Sequence, residues 1–303
     1  MTSILTNNAA MAALQTLRSI GSNLQDTQNA VSSGLRISKA SDNAAYWSIA
    51  TSMKSDNSAI GAVSDALGLG AAKVDTATTA VTSAIDIVGQ IKDKLATAME
   101  PSVDKKSVQE EISQLQQQLQ SVAQSASFNG ENWVMAQNGD SASVVSSFIR
   151  GTNGTVSVSS TAYAFDTGAT GNVLFGSSGG AIDTTSGILG TSDGSVGASV
   201  FSLDISSMTG GQISSALNMV QTALNSMTSL GSKLGSISSR IDLQTTFASS
   251  LSDSIQSGVG KLVDANMEEE SSKLSALQTQ QQLAVQSLSI ANSSTQQILS
   301  LFR

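Results

Sequence analysis

The sequence contains few side chains of the types and spacing that catalysis or metal binding requires. Its clearest concentration of ionisable groups is the carboxylate run Glu268-Glu269-Glu270. Carboxylates can act as general acids and bases, but adjacent glutamates at the start of a helical pattern are more typical of a solvated face or of groups that complement the helix dipole. The Gly-rich stretch GSSGGAIDTTSG (176–187) lacks a lysine and a following helix, so we interpret it as a loop.

Two residue types that carry much of protein chemistry are missing. The chain has no Cys, which excludes disulfide, reactive-thiolate and zinc-thiolate hypotheses together. It has no His, which removes the usual general base, the commonest transition-metal ligand and any His-Glu-x-x-His zinc site. We therefore expect a protein that is not an enzyme and that needs no metal or cofactor.

Charge and hydropathy exclude two classes of partner. Only 13% of the 303 residues are charged and the net charge is −8, so the clustered Lys and Arg of a nucleic-acid-binding protein are absent. No stretch approaches 18 consecutive apolar residues, and the Gln/Ser faces lack the basic and aromatic side chains of membrane-surface helices. The start, MTSILTNNAAMAALQTLRSI, has no basic region followed by an apolar run, so we expect no cleaved signal peptide.

The elements that could position any site are mostly helical. Residues 1 to about 138 and from about 207 onward show helical periodicity, and the single proline, Pro101, suits a break between two helices. The run SVQEEISQLQQQLQSVAQSA places an apolar residue at six of six seam positions from Val108 to Ala126. These patterns predict a mainly α fold: a long helical coiled-coil bundle built from both termini, with a small β-rich central insertion.

The insertion is distinguished by its composition. Residues 151–200 contain 11 Gly and 17 Ser or Thr, and short β-like runs (TVSVSS, NVLFG, SVFSLDI) lie between Gly-rich turns. A disordered linker is the alternative to a small packed unit of strands and loops. Apolar side chains favour the packed unit: Val156, Phe165, Val173, Phe175, Ile188 and Phe201.

The two ends carry a seam of apolar residues with alternating 4-3 spacing. It comprises Leu14, Leu17, Leu24, Val31 and Leu35 near the N-terminus, and Leu274, Leu277, Leu288, Ala291, Ile298 and Phe302 near the C-terminus. Residues 1–38 hold three charges and residues 274–302 hold none. Their outer faces are Gln, Ser, Thr and Asn, which can lie against protein without the desolvation cost of an ion. Since a lone pair of such helices is marginal in water, we infer that other copies of the chain complete them.

Five stretches together resemble bacterial flagellin. They are ILTNNAAMAAL, VSSGLRISKASDNAAYWSIATSM, the Phe128-Asn129-Gly130 turn, LGSKLGSISSRIDLQ and the ending from VDANMEEESSKL to the C-terminus. Each stretch alone is weak, but the set is specific and follows the family's order. The short length and the AYW sequence at 45–47 resemble rhizobial, alphaproteobacterial members.

The resemblance implies a subunit that polymerises into the extracellular flagellar filament for swimming. It implies an inner core helix made of two halves, residues 1–40 and 265–303. Around it lies an outer core helical domain in two parts, residues 41–139 and 207–264. Residues 140–206 form a variable insertion exposed on the surface. The implied partners are further copies, sibling flagellins, the type III export apparatus, a secretion chaperone, and the cap and hook-junction proteins. The alternative is the hook–filament junction protein of the same superfamily.

Residues 32–53 join the inner helix to the outer layer in the family and face neighbouring subunits. We predict that Arg36, Lys39 and Asp42 fix the register through contacts within or between subunits, the alternative being that they are solvated. The family's version of this region is recognised by plant innate receptors. Here Asp42 and Asn43 are followed by Tyr46 and Trp47 in place of small or aliphatic residues, so we predict reduced recognition.

Overall fold

The computed structural model describes residues 7–151 and 155–301. Within them the chain forms five helices: α1 (Asn8–Ser33), α2 (Ala44–Thr97), α3 (Lys105–Ser125), α4 (Gly210–Val263) and α5 (Met267–Leu301). Seven strands lie between α3 and α4: β1 (Ser127–Phe128), β2 (Glu131–Asn132), β3 (Met135–Ala136), β4 (Ser141–Arg150), β5 (Val156–Ala164), β6 (Phe175–Ser178) and β7 (Ala181–Asp183). The predicted mainly α fold with a central β-containing region is confirmed.

The chain divides into two compact units. The terminal unit comprises Met1–Ser58 and Ser252–Arg303, and the central unit comprises Ala59–Leu251. The division therefore falls within the residue ranges of α2 and α4. The boundaries that we predicted near residues 40 and 264 fall in the loops before α2 and after α4, not at the division between the two units. The five predicted segments stay a prediction.

Local sequence explains where several helices begin and end. The Asn7 side chain accepts a hydrogen bond from the backbone N–H of Ala10 and caps α1, and Gly34 ends that helix at a φ of 70°, which a residue with a Cβ rarely adopts. Asp104 caps α3 by accepting from Lys106 N–H, an interaction that lowers the pKa of Asp104. The predicted break at Pro101 is confirmed, because the residue lies in the loop between α2 and α3.

The central unit has an extensive apolar core. Helices α2, α3 and α4 all contribute to it, and its fully buried side chains include Leu67, Ile91, Leu95, Ile112, Leu119, Met227 and Leu234. The stripe predicted on α3 is confirmed, since each of its six positions is buried or partly buried. Burying large side chains at heptad spacing on three helices gives this unit the apolar area that a stable domain needs.

The insertion packs into the same core as the helices. Strands β4 and β5 pair as an antiparallel hairpin, and β6 lies between β3 and β7. Four of the predicted apolar residues, Phe165, Val173, Phe175 and Ile188, are buried within the helical core cluster. The disordered-linker alternative is therefore wrong, and the packed insertion has no separate core.

Two local predictions in the insertion are wrong. The Gly-rich stretch 176–187 is not simply a loop, because it contains most of the β6–β7 hairpin. Residues 199–205, predicted as a strand, form a turn and an extended segment without strand pairing. Glutamine side chains of α3 replace that pairing: Gln116 donates to the carbonyls of Val200 and Leu203 at 3.1 Å, and Gln109 accepts from Ile205 N–H at 2.8 Å.

The Phe128-Asn129-Gly130 sequence forms a tight turn between β1 and β2. Asn129 and Gly130 have φ values of 52° and 84°, the left-handed geometry that a two-residue hairpin requires and that Asn and Gly tolerate best. Next to this turn, the Lys73 ammonium lies 2.8 Å from the Glu131 carboxylate. The turn is thereby held against α2 within the central unit.

Candidate assembly surface

Helices α1 and α5 of the terminal unit lie side by side and run antiparallel. At one end the Asn7 side chain donates to the carbonyl of Ala291 at 3.0 Å, and at the other Ala265 N–H donates to the carbonyl of Gly34 at 2.9 Å. The two helices are in contact along their length between these points. This pair brings the beginning and the end of the chain into one structure.

On α5 the shielded residues follow the seam spacing derived from the sequence. Leu274, Gln281, Ala284, Leu288 and Ala291 are partly buried, and Leu277 is only 7% exposed. The run Glu268–Glu270 occupies the first turn of this helix, where carboxylates complement the helix dipole. Ile298 and Phe302 lie outside the part of the chain whose side chains are described.

On α1 the shielded face differs from the predicted seam at alternate positions. Leu17, Leu24 and Val31 are partly buried as expected, but Leu14 is 40% exposed. The shielded face is Ala10, Ala13, Leu17, Ile20, Leu24, Thr27 and Val31. Ile20 is partly buried beside Gly21, the position that the predicted spacing places in the seam, and its side chain adds apolar area to the shielded face. Leu14 is consequently left facing away from α5.

A junction of backbone and side-chain hydrogen bonds links the end of α1 to the end of α4. Arg36 N–H donates to the Val263 carbonyl at 2.7 Å, and its guanidinium donates to the Leu262 carbonyl at 2.9 Å. The cation thus meets the carbonyl end of α4, where positive charge is favoured. Leu35 is partly buried and bridges to Asp264. Beneath the junction lies a small apolar cluster of Ile37, Ala50, Val259 and Val263.

Asp42 holds the loop between α1 and α2 in shape. Its carboxylate accepts from Ser38 N–H at 3.0 Å and from Lys39 N–H at 3.2 Å. The Ser38 N–H is the main reason that the pKa of Asp42 lies below its ordinary value, and Lys39 adds a smaller electrostatic contribution. Asn43 then accepts from Tyr46 N–H at 3.1 Å and so caps the start of α2. Contacts of Arg36, Lys39 and Asp42 with a neighbouring copy stay a prediction.

The terminal unit also exposes large apolar side chains that face away from the seam. They are Met11 and Leu14 on α1, Tyr46, Trp47 and Ile49 on α2, and Met267, Leu283, Val285 and Ile290 on α5. The sequence pattern placed Leu14 in the seam, where the structure leaves it 40% exposed, and it singled out Tyr46 and Trp47 only for their effect on receptor recognition. Apolar residues outside the seam positions, in helices that carry almost no charge, are the sequence feature that could have indicated this exposed surface.

The described residues offer little to a catalytic or metal-binding hypothesis. They contain no group of three His, Cys, Asp or Glu side chains that could hold a metal ion. GSSGG (176–180) and GTSDG (190–194) read G-x-S-x-G, but neither connects a strand to a helix, and the chain has no His to activate a serine. Among the helices described, none is sufficiently long and apolar to span a bilayer.

Family models match both helical ends of the chain. The bacterial flagellin N-terminal helical region matches residues 4–139, and the bacterial flagellin C-terminal helical region matches residues 217–302. The chain belongs to the bacterial flagellin family. It is 45% identical to Flagellin A of Rhizobium meliloti and 47% identical to a flagellin of Brucella melitensis biotype 1, over the full length of both chains in each case.

These matches confirm the resemblance seen in the sequence motifs. Flagellins are structural proteins that polymerise into the extracellular flagellar filament, and the helical ends matched here include the α1–α5 pair. The chain is accordingly a filament subunit. A function based on assembly agrees with a surface of exposed apolar and uncharged polar side chains.

Proposed function

We propose that this flagellin chain polymerises through the outward face of its α1–α5 pair. The observation that supports the proposal is the combination of exposed apolar side chains with an almost complete absence of charge on that face. Leu283 and Ile290 are 60% and 63% exposed, and α5 has no charged residue after Lys273. Such a face can be covered by protein without stripping water from ions.

Addition to a growing filament couples assembly to the completion of this face. In one copy, the seam buries only one side of two long helices, and long amphipathic helices depend on tertiary packing for most of their stability. Neighbouring copies supply the missing contacts. Subunit addition therefore stabilises both the contact and the helices that make it, which favours growth over release.

We infer that the chain travels to the filament tip unfolded, through the flagellar type III apparatus, and meets a secretion chaperone, the cap and the hook-junction proteins. The support is the family resemblance together with a chain that has one proline and no cysteine. Few cis–trans isomerisation steps and no disulfide chemistry then stand between the unfolded chain and the assembled one.

The first test is seeded assembly of the purified full-length chain beside a variant that ends at Lys273. Sedimentation measures the polymer, electron microscopy identifies tubes, and circular dichroism reports the fold of the unassembled protein. We expect long filaments from the full-length chain and folded monomer from the truncated variant.

Two other results would contradict the proposal. If both proteins stay monomeric with competent seeds, the chain does not polymerise and the proposal is wrong; the junction-protein alternative would then explain the family match. If the truncated variant forms filaments as well, assembly depends on surfaces outside α5.

A further inference from the structure

A second exposed face lies on α4 within the central unit. Five residues at successive spacings of three and four form what we call the basic stripe: Lys233, Ser236, Arg240, Leu243 and Phe247. Leu243 is 70% exposed and Phe247 is 58% exposed. The heptad-like spacing puts all five on one side of the helix, so α4 presents a continuous stripe that is cationic at one end and apolar at the other.

The cationic end of the basic stripe borders a cavity of about 570 Å³. Its other wall is formed by the β4–β5 hairpin, whose Val145, Ser147 and Thr161 line the cavity. Lys233 and Arg240 therefore stand at the edge of a concave surface. A helix packed against this face of α4 would contact the hydroxyls of Ser147 and Thr161 on one side and the side chains of Lys233 and Arg240 on the other.

The surface of α2 in the same unit carries a matching set, which we call the acidic stripe. It consists of Thr79, Thr82, Asp86, Gln90 and Asp93, all of them exposed. Asp86 and Asp93 are seven residues apart, as are Lys233 and Arg240. Among the described residues, these four charged side chains form no ion pair. One helix therefore displays two unpaired acids, and another displays two unpaired bases at the same spacing.

The two stripes cannot satisfy each other within one copy. Val81 packs next to Gly231, and the Lys92 ammonium donates to the Gln221 side chain at 2.8 Å, so α2 and α4 run antiparallel at a defined level. At that alignment Asp86 and Arg240, and likewise Asp93 and Lys233, are offset by roughly 20 Å along the helices, at 1.5 Å per residue. The nearest acid and base, Asp86 and Lys233, are still offset by roughly 10 Å, which is too far for an ion pair and about one screening length at physiological salt.

We propose that the acidic stripe of one copy docks on the basic stripe of the next copy. Because α2 and α4 are antiparallel within a copy, two copies that point in the same direction bring these helices together antiparallel. Asp86 then meets Arg240 and Asp93 meets Lys233. The same register places Gln90 opposite Ser236 and the Thr79 methyl group opposite Phe247.

This contact deepens the proposed function, on which it rests, by assigning a specific contact between subunits. It joins two different patches, and such a heterologous contact generates an open polymer with a direction rather than a closed dimer. Its charges set partner choice and register more than affinity. The face of the α1–α5 pair and the stripes of the central unit therefore have separable roles in one filament.

The test reverses each pair of charges in the full-length chain. One variant carries Asp86→Lys with Asp93→Lys, a second carries Lys233→Asp with Arg240→Asp, and a third carries all four changes. We expect the soluble protein left in equilibrium with filaments to rise about tenfold or more in the first two variants, because like charges then face each other. The fourfold variant should return to within about threefold of the parent, and an equimolar mixture of the first two should co-assemble.

A matched control changes the same net charge elsewhere on exposed positions, through Asp65→Lys with Glu110→Lys, and should assemble like the parent. Circular dichroism of the unassembled proteins checks that each variant is folded. If the first two variants assemble like the parent, or if the fourfold variant stays defective while folded, the inference is overturned although the chain is still a filament subunit. Failure of the parent itself to polymerise on seeds would contradict the proposed function instead.

Discussion

The terminal and central units differ in how completely they bury their apolar side chains. The central unit has a continuous core shared by three helices and the insertion, whereas the four-residue cluster beneath the junction is the terminal unit's counterpart. Among the described side chains, nine of the fifteen large exposed apolar ones belong to the terminal unit, which is the smaller of the two. The central unit buries a large apolar core within one copy, whereas the terminal unit leaves more of its large apolar side chains exposed to solvent.

The difference shows how one chain can be both soluble and ready to polymerise. A fully buried terminal unit would have nothing to gain from a neighbour, and a fully exposed chain would aggregate without a defined geometry. Uncharged polar side chains between the exposed apolar ones keep the monomer hydrated while allowing close packing later.

The largest effect is expected from charges placed on the outward face of α5. Leu283→Asp with Ile290→Asp should abolish filament growth, raising the required protein concentration by roughly a hundredfold or more, because each buried unpaired carboxylate costs several kcal/mol. The thermal unfolding of the monomer should not change. Sedimentation and calorimetry measure the two quantities, and Leu283→Gln with Ile290→Gln is the matched uncharged control. Filaments of normal yield would show that this face stays in water.

Two leucine-to-alanine substitutions, one in each unit, test the comparison directly. Leu95→Ala removes a fully buried side chain of the central core and should lower the free energy of unfolding of the monomer by about 2–5 kcal/mol. Leu277→Ala in the seam should lower it by less than about 1 kcal/mol, since the α1–α5 pair opens separately from the core. Leu277→Ala should weaken filament assembly more than Leu95→Ala does. Urea unfolding followed by circular dichroism gives both values, and equal losses would remove the distinction between the units.

A smaller effect is expected at the junction. Arg36→Ala removes the guanidinium hydrogen bond to the Leu262 carbonyl and should cost about 0.5–1 kcal/mol, the usual worth of a cation at an exposed helix end. Arg36→Lys keeps the charge and is the control. Hydrogen exchange at the end of α4 measures the local opening. Unchanged protection in the alanine variant would mean that the backbone bonds of the junction suffice.

The smallest effect is a pH dependence of the loop between α1 and α2. Since the pKa of Asp42 in the folded chain is below its ordinary value of 3.8, its ionised form stabilises the loop above that pH, and the stabilisation is lost as the pH falls through the folded pKa. At pH 7, Asp42→Asn filaments should therefore disassemble faster than parent filaments. In acid, where Asp42 is protonated, the two disassembly rates should become equal. Turbidity against pH measures this, and a difference that persists unchanged below the folded pKa would exclude Asp42 as its source.

Regular spacing explains which parts of the fold the sequence predicts. The α3 stripe and the α5 seam from Leu274 to Ala291 each form a single apolar face in the sequence, and the structure shields those residues. On α1 the predicted and the observed spacing share Leu17 and Leu24, but the structure shields Ala13 where the prediction has Leu14, and it shields Ile20 in addition to Gly21. The choice between them depends on what α5 presents, which the pattern of one helix does not contain.

The insertion was harder to predict because its decisive contacts are distant in sequence. Residues 199–205 alternate like a strand, yet their backbone is bonded by Gln109 and Gln116, about 90 residues earlier. In a helix so rich in glutamine, nothing distinguishes these two from their solvated neighbours. The candidate surface was only half visible for a similar reason: Leu283 and Ile290 break no helical rule, and only the packed α1–α5 pair shows that they face outward.

The junction has a consequence for the timing of synthesis. Its Arg36–Leu262 bond joins residues 226 positions apart, so α1 leaves the ribosome long before its partners exist. At 5–20 residues per second, the wait is roughly 10–45 s. During that interval the terminal unit cannot close, and the chain has no finished surface with which to start a polymer. A contact between residues so far apart in the sequence thus acts as a delay, making the competence to assemble one of the last properties that a newly made subunit acquires.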